Sequence, residues 1–350
     1  MILIDTSNIE DMKDEIYNLT KTGLEIKSIV SFVDPFVHIA SILCDEFCDN
    51  YTSSTAIEIM EDKEKTRNFL KNQPYSPKFF LLKPNESFSN NIEFPLIVKS
   101  PKSTGSKDVL LADDSEQLKK HLSHLRSKNP RETIMIEEYI EGPQYLVEAL
   151  VYKRQANIIG IIEQEITQGK RFIITGYGVL VKAPKEIQAG LEEVLQSIVK
   201  AFNIENGALH LELRLTKNGW KLIEINPRIS GGAMNTMLHA AFGFNLVKET
   251  LKVFLGERPD IKPKHRKFVY TKYVIVESKG ILEKVIGRNK AAHSPGVVDV
   301  YVKPRRGTLL IPPLSMGHRY AYVIAEGATL AEAKNKAINA AKEIKFILKS

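Results

Sequence analysis

The segment from Leu209 to Arg228, LHLELRLTKNGWKLIEINPR, constrains this chain more than any other: it reads as two alternating strands joined by a tight turn. In the first strand Leu209, Leu211, Leu213 and Leu215 share one face, leaving His210, Glu212 and Arg214 on the other. In the second, Ile223 and Ile225 are expected on the leucines' side, with Leu222, Glu224 and Asn226 opposite. A two-residue loop at Asn218-Gly219 would set Glu212 against Ile225 and mix the faces. A three-residue loop Lys217-Asn218-Gly219, with Gly219 left-handed, sets Glu212 against Glu224 and His210 against Asn226. Only that register keeps one face apolar, and it is the one predicted.

Carboxylates directly opposed across a hairpin repel each other, at a cost of up to about 1 kcal/mol. A solvated strand face is the ordinary setting for such charges. Here a hard divalent cation accounts for them better, because Asn226-Pro227-Arg228 and Gly231-Gly232 follow at once. Mg²⁺ takes one or two carboxylates, with phosphate oxygens and water completing its shell. Glu212, Glu224 and the amide oxygen of Asn226 suit that role, with Mn²⁺ as an alternative ion.

The stretch GALHLELRLTKNGWKLIEINPRISGG resembles the metal-binding hairpin of the ATP-grasp ligases, in particular the branch with carbamoyl-phosphate synthase, biotin carboxylase and the bacterial L-amino-acid ligases. The resemblance implies an α/β (α+β) ATP-grasp fold that activates a carboxylate as an acyl phosphate with ATP, for displacement by an amine. It implies Mg²⁺ on Glu212, Glu224 and Asn226, and Arg228 as the group that steadies the acyl phosphate. It also implies a division of the chain. Residues 1–57 resemble the back half of a pre-ATP-grasp α/β domain, with no counterpart for its first strand and glycine-rich turn. Residues 58–93 are a connecting helix and linker. Residues 94–262 are the ATP-grasp domain, with a lid to about 150, and 263–350 a small C-terminal α+β domain.

Within residues 1–57, Ile2–Ile4 and Ile29–Val33 read as strands, with helices at Glu10–Thr20 and around Ile39 to Phe47. Glu58 to Leu70 reads as one helix, ended by Pro74 and Pro77. Its EDKEKTRNFL resembles the family helix whose lysine reaches the α-phosphate, which assigns that role to Lys63. Phe94 to Lys99 is an apolar strand ending in lysine, followed by the small-residue loop Ser100 to Ser106. A lysine beside such a loop suits phosphate, although the G-x-x-x-x-G-K-[ST] spacing of a P-loop is absent. By resemblance Lys99 takes the α/β-phosphates, and Ser103 and Gly105 lie in the loop that closes over them.

Thr133 to Pro143 has an edge-strand-then-turn character. In the family this strand pairs with adenine, which implicates Glu137 as acceptor for the exocyclic amine and Glu138, Tyr139 and Ile140 around it. Gln144 stands where the family commonly has a ribose-binding glutamate. Glu148, Arg171 or Lys182 is expected at the substrate carboxylate or γ-phosphate, and spacing does not select among them. Gly231 and Gly232 open a helix whose free N–H groups suit an anion, while His239 reads as a helix-face residue. Lys185 to Phe202 carries an apolar stripe from Ile187 to Phe202 that reads as core. Strands are expected near 267–276, 280–285, 297–302 and 320–324, and a helix over 329–348.

With 350 residues, 43% hydrophobic and 26% charged, the chain has the balance of a globular protein. Its start carries acids where a signal peptide needs a basic region, and no apolar run is long enough to span a membrane, so a cytoplasmic enzyme is expected. Cys44 and Cys48 are too few for a disulfide framework and read as core thiols. The net charge of +7 is scattered, with local clusters at Lys262 to Lys267 and Lys303 to Arg306; polyphosphate explains it better than nucleic acid. The expected partners are a small-molecule carboxylate and amine, with a homodimer consistent with the family. Two other readings stay open: ammonia, a biotin-like or carrier-bound amine as acceptor, or an ATP-binding regulator without turnover.

Overall fold

Three antiparallel sheets organise the chain, as seen in a computed structural model that describes residues 2–49, 51–88, 93–102, 108–167 and 173–349. The largest has eight strands, in the spatial order Val297–Val302, Ala321–Gly327, Phe268–Val274, Ile173–Val179, Gln155–Thr167, Gln144–Tyr152, Gly207–Thr216 and Gly219–Asn226. Three of these strands come from the C-terminal part of the chain and extend the same sheet. A four-stranded sheet of Phe79–Leu82, Ile134–Glu138, Leu96–Lys99 and Val109–Ala112 stands apart from it, backed by the helix Ser115–Lys128.

Alternation along the central strands divides the large sheet into two faces. Val147, Ala149, Val151, Leu209, Leu211 and Leu213 pack against the helix Lys185–Ala201, whose Leu191, Leu195 and Ile198 are fully buried, as its stripe predicts. On the other face Leu146, Leu150, Ile162 and Val179 pack beneath the helices Met234–Phe242 and Leu246–Phe254. The same face carries Glu148, His210 and Glu212, so the polar residues of the site sit on a sheet anchored from behind by apolar burial.

The hairpin differs from expectation in how it reaches its register. Thr216 pairs with Gly219, leaving a two-residue loop of Lys217 and Asn218, with Gly219 at φ +100. A bulge then leaves Ile223 unpaired and restores Glu212 opposite Glu224 and His210 opposite Asn226. The extra residue also exchanges two faces. Leu222 joins Ile225 in the core, and Ile223 turns toward Glu224 instead of the leucines.

Four other expectations are corrected. Ile2–Ile4 and Ile29–Val33 are not strands, since among the described residues no neighbour completes a ladder for them; Leu3 is fully exposed. The helices Ile9–Lys21 and Phe36–Phe47 do form. The single helix at 58–70 is two, Ser54–Glu61 and Lys63–Leu70, because Asp62 adopts extended backbone and caps the second through the Lys65 N–H. The closing helix stops at Ala341, and Lys345–Lys349 returns as a strand beside Gly280–Ile286. The helix's small alanines face the sheet, whereas Phe346, Ile347 and Leu348 form a short apolar run bounded by lysines, which suits a strand.

Candidate active site

Between the small and the large sheet lies a cleft of about 890 Å³. The small sheet contributes Ile97, Lys99, Val109, Glu137 and Glu138; the large sheet contributes Gln144, Ile166, Ile174, Glu212, Arg214, Ile223 and Glu224. Tyr139 and Ile140, in the turn joining them, form the end of the cleft, and Lys63 enters from its helix. Nine residues singled out in the sequence therefore converge on one cavity: Lys63, Lys99, Glu137, Glu138, Tyr139, Ile140, Gln144, Glu212 and Glu224; Asn226 lies two residues beyond Glu224 on the same strand. Ser103, Gly105 and Arg171 lie outside the described residues.

At the floor Glu212 faces Glu224. Burial and the facing carboxylate push Glu212 up to about 7. Lys63 Nζ stands 3.6 Å from the Glu224 carboxylate, and Gln144 donates to Glu212 at 3.1 Å while accepting from Arg214 at 3.0 Å. Among the described residues no group of three or more His, Cys, Asp or Glu side chains is arranged to hold an ion by itself. Two carboxylates and an amide oxygen fit a hard cation whose remaining ligands are phosphate oxygens and water. A cation bound there must displace the Glu212 proton below pH 7. Mg²⁺ affinity in the presence of nucleotide is therefore expected to rise about tenfold per pH unit up to roughly pH 7 and then level off. The linkage has the matching sign: a carboxyl raised to about 7 costs the metal-free fold stability as pH climbs from the ordinary carboxylate range to 7, the loss is complete above that, and Mg²⁺ removes it. Thermal melts with and without Mg²⁺ at pH 6 and 8 check both statements.

Glu137 is placed differently from the adenine-facing carboxylate expected. It is buried between Arg67 Nε and Lys99 Nζ, at 2.5 Å from each. Burial alone would raise its carboxyl, but the two cations outweigh burial and hold it at about 2. Burial pulls Lys99 below its usual value, an effect the Glu137 carboxylate only partly offsets. Arg67 also donates to the carbonyl of Ile223, the residue freed by the bulge. The bulge thus ties the Glu212–Glu224 hairpin to the helix that carries Lys63. Glu138 accepts from the Lys78 N–H, and Arg214 stacks on the Tyr139 ring.

Glu148 is not open to a substrate carboxylate. It is 1% exposed, bonded to His210 Nδ1 at 2.6 Å and to the Ser230 N–H at 3.2 Å. Burial lowers His210, but Glu148 outweighs it and raises the imidazole above its usual value. Arg228 forms a two-pronged pair with Asp34, its Nε at 2.7 Å from Oδ1. It also borders a second cavity, of about 600 Å³, walled by Phe32, Val37, Ala40, Cys44 and Leu209. Gly231 and Gly232 are exposed beside it, at the start of Met234–Phe242, and His239 is taken up by the Phe244 carbonyl.

Two family models match this chain: the ATP-grasp domain over residues 92–237, and the L-amino acid ligase C-terminal domain 2 over 272–349. Its residues 92–237 are an ATP-grasp domain. The carbamoyl phosphate synthase large chain of Thermoanaerobacter sp. is 25% identical over 236 residues, 65% of this chain and 22% of its own length. This ATP-grasp chain thus spans about a fifth of that relative. An uncharacterized protein of Sinorhizobium fredii, y4rH, is 24% identical over 332 residues, 92% of this chain and 68% of its own. An L-amino acid ligase from Bacillus licheniformis has the same fold, with a TM-score of 0.81 at 19% identity, over 98% of this chain and 86% of that one. The ATP-grasp superfamily carries out ATP-dependent ligation with Mg²⁺. No helix among the described residues is long and apolar enough to cross a membrane.

Three site residues of this ATP-grasp chain were not assigned from its sequence. Arg67 carried a usable signal, since it lies four residues after Lys63 on one helix face. Asp34 and His210 carried less: Asp34 is 194 residues from Arg228, and His210 was placed on the polar face without a partner.

Proposed function

We propose that the chain is an ATP- and Mg²⁺-dependent ligase that activates a carboxylate, an amino acid in this reading, as an acyl phosphate and joins it to an amine. The products are an amide or dipeptide, ADP and phosphate. The observation that carries the proposal is the cleft itself. Two cationic side chains, Lys63 and Lys99, and two opposed carboxylates face one cavity between two sheets. Polyphosphate satisfies the first pair and its divalent ion the second.

In this reading the edge of Glu138 to Ile140 receives adenine through backbone groups, and Gln144 the ribose. The Glu137 carboxylate serves instead to position Lys99. A divalent ion on Glu212, Glu224 and Asn226 would neutralise charge on the phosphates and orient them. Arg228 would hold the carboxylate substrate and then its acyl phosphate, with Asp34 fixing the guanidinium plane. No side-chain nucleophile is required, because positioning and electrostatics carry phosphoryl transfer.

The test is phosphate release from MgATP across a panel of amino-acid pairs, with ADP and AMP resolved. ADP and phosphate with particular pairs is the expected result. AMP as the product overturns the acyl-phosphate chemistry. Nucleotide binding without turnover for any pair, ammonia and biotin included, overturns the ligase reading.

A further inference from the structure

Across from the metal-side hairpin, the same sheet face carries polar groups that the proposed chemistry leaves unused. Gln164 lies directly opposite Tyr177, and Tyr177 directly opposite Thr271, on three neighbouring strands. Register places them on the face of Glu212, since Glu212 pairs with Leu146 and Leu146 with Ile162, two residues before Gln164. Both amide atoms of Gln164 are buried; the side chain interacts with the neighbouring Tyr177, yet neither atom completes a well-formed hydrogen bond among the described residues. The Thr271 hydroxyl, in a residue 0% exposed, is likewise unpaired. A buried polar group left unmet is destabilising unless something answers it.

Above this row stands Arg319, from the turn after Met316–His318. Its guanidinium lies 3.9 Å from the Tyr273 ring centre and 5.8 Å from that of Tyr177. Nη1 reaches the Tyr177 hydroxyl at 3.3 Å, and Nε donates to the Met316 carbonyl at 3.2 Å. Among the described residues no carboxylate pairs with it. A guanidinium laid flat on aromatic rings, with part of its donor fork unspent, is built for a planar anion. Tyr177 is three strands from Glu212, about 14 Å by strand spacing.

We propose that Arg319, held on the Tyr177–Tyr273 platform and faced by the Gln164 amide, anchors the carboxylate of the amine substrate, so that the acceptor is an amino acid or peptide bearing a free carboxylate. This rests on the ligase reading and narrows its second substrate. The acceptor's amine would point toward the acyl phosphate and its carboxylate away from the metal. Amines without a carboxylate, ammonia among them, leave the guanidinium and the amide unanswered.

The experiment uses the full chain and its Arg319→Gln and Arg319→Lys variants. Three acceptors are compared with each acid of the panel: amino acids, their carboxamides, and hydroxylamine, a small nucleophile with no carboxylate. In the unaltered chain amino acids are expected to outperform their carboxamides. Arg319→Gln should raise the acceptor KM roughly ten- to hundredfold, with Arg319→Lys recovering part of that. Hydroxamate formation should stay unchanged in both variants. Equal use of amino acids and carboxamides, or an equal loss of hydroxamate in Arg319→Gln, overturns the subsite while leaving the ligase reading intact. No hydroxamate and no ADP from the unaltered chain overturns both.

Discussion

Replacing Glu224 by glutamine is expected to lower ATP-dependent turnover at least about 100-fold while leaving the fold as stable as before, or slightly more so. The two halves of this result have one cause. Glu224 faces Glu212 across the hairpin, and its partly exposed pairing with Lys63 at 3.6 Å is worth little. Without a cation the pair is a repulsion of up to about 1 kcal/mol, which the substitution relieves. With a cation it is most of the protein's share of the coordination shell. In the proposed mechanism turnover depends on that shell, because no side chain attacks the phosphate. Steady-state phosphate release and a thermal melt of the same preparation measure both halves. Activity near that of the unaltered chain would remove Glu224 from the metal site.

The second large effect concerns Arg67, Glu137 and Lys99. Two cations share one carboxylate in the interior, so the three positions are not equivalent. Glu137→Gln leaves two buried positive charges without a counter-charge, and is expected to cost about 3–5 kcal/mol of stability. Lys99→Met leaves the matched Arg67–Glu137 pair, and should cost clearly less in stability while weakening nucleotide binding. Denaturant melts of both variants, with nucleotide titration of Lys99→Met, test the ordering. Equal stability of the two would show that Glu137 is not the keystone of the cluster. The pH dependence carries a sign as well. With its folded-state carboxyl held at about 2, Glu137 contributes stability that is full above the usual carboxylate range and is lost as pH falls toward 2.

Much of this site was readable from residue types and spacing. Alternation with Gly219 predicted the facing of Glu212 and Glu224, because only one register buries the leucines. The bulge at Ile223 was not readable, since a single inserted residue changes pairing without changing composition. Its consequence, an Ile223 carbonyl turned toward Arg67, was hidden with it. Asp62 was readable as a helix cap in the residues themselves, and reading through it merged two helices. Glu137 and Glu148 were recognised as important but misplaced in their contacts. Both carboxylates are satisfied by side chains or backbone that tertiary packing brings in from far along the chain: Arg67 is 70 residues from Glu137, and Ser230 is 82 from Glu148. The Arg228–Asp34 pair is hidden for the same reason, over 194 residues.

The central claim is that a substrate carboxylate takes the terminal phosphoryl group of ATP before the amine attacks. It is tested most directly by labelling the carboxylate oxygens of the acid substrate with heavy oxygen and following the label through one round of ligation. The account predicts one labelled oxygen in each phosphate released, with ADP unlabelled, because the bridging oxygen of the acyl phosphate leaves with phosphorus. Label found in AMP, or kept out of phosphate altogether, would contradict it.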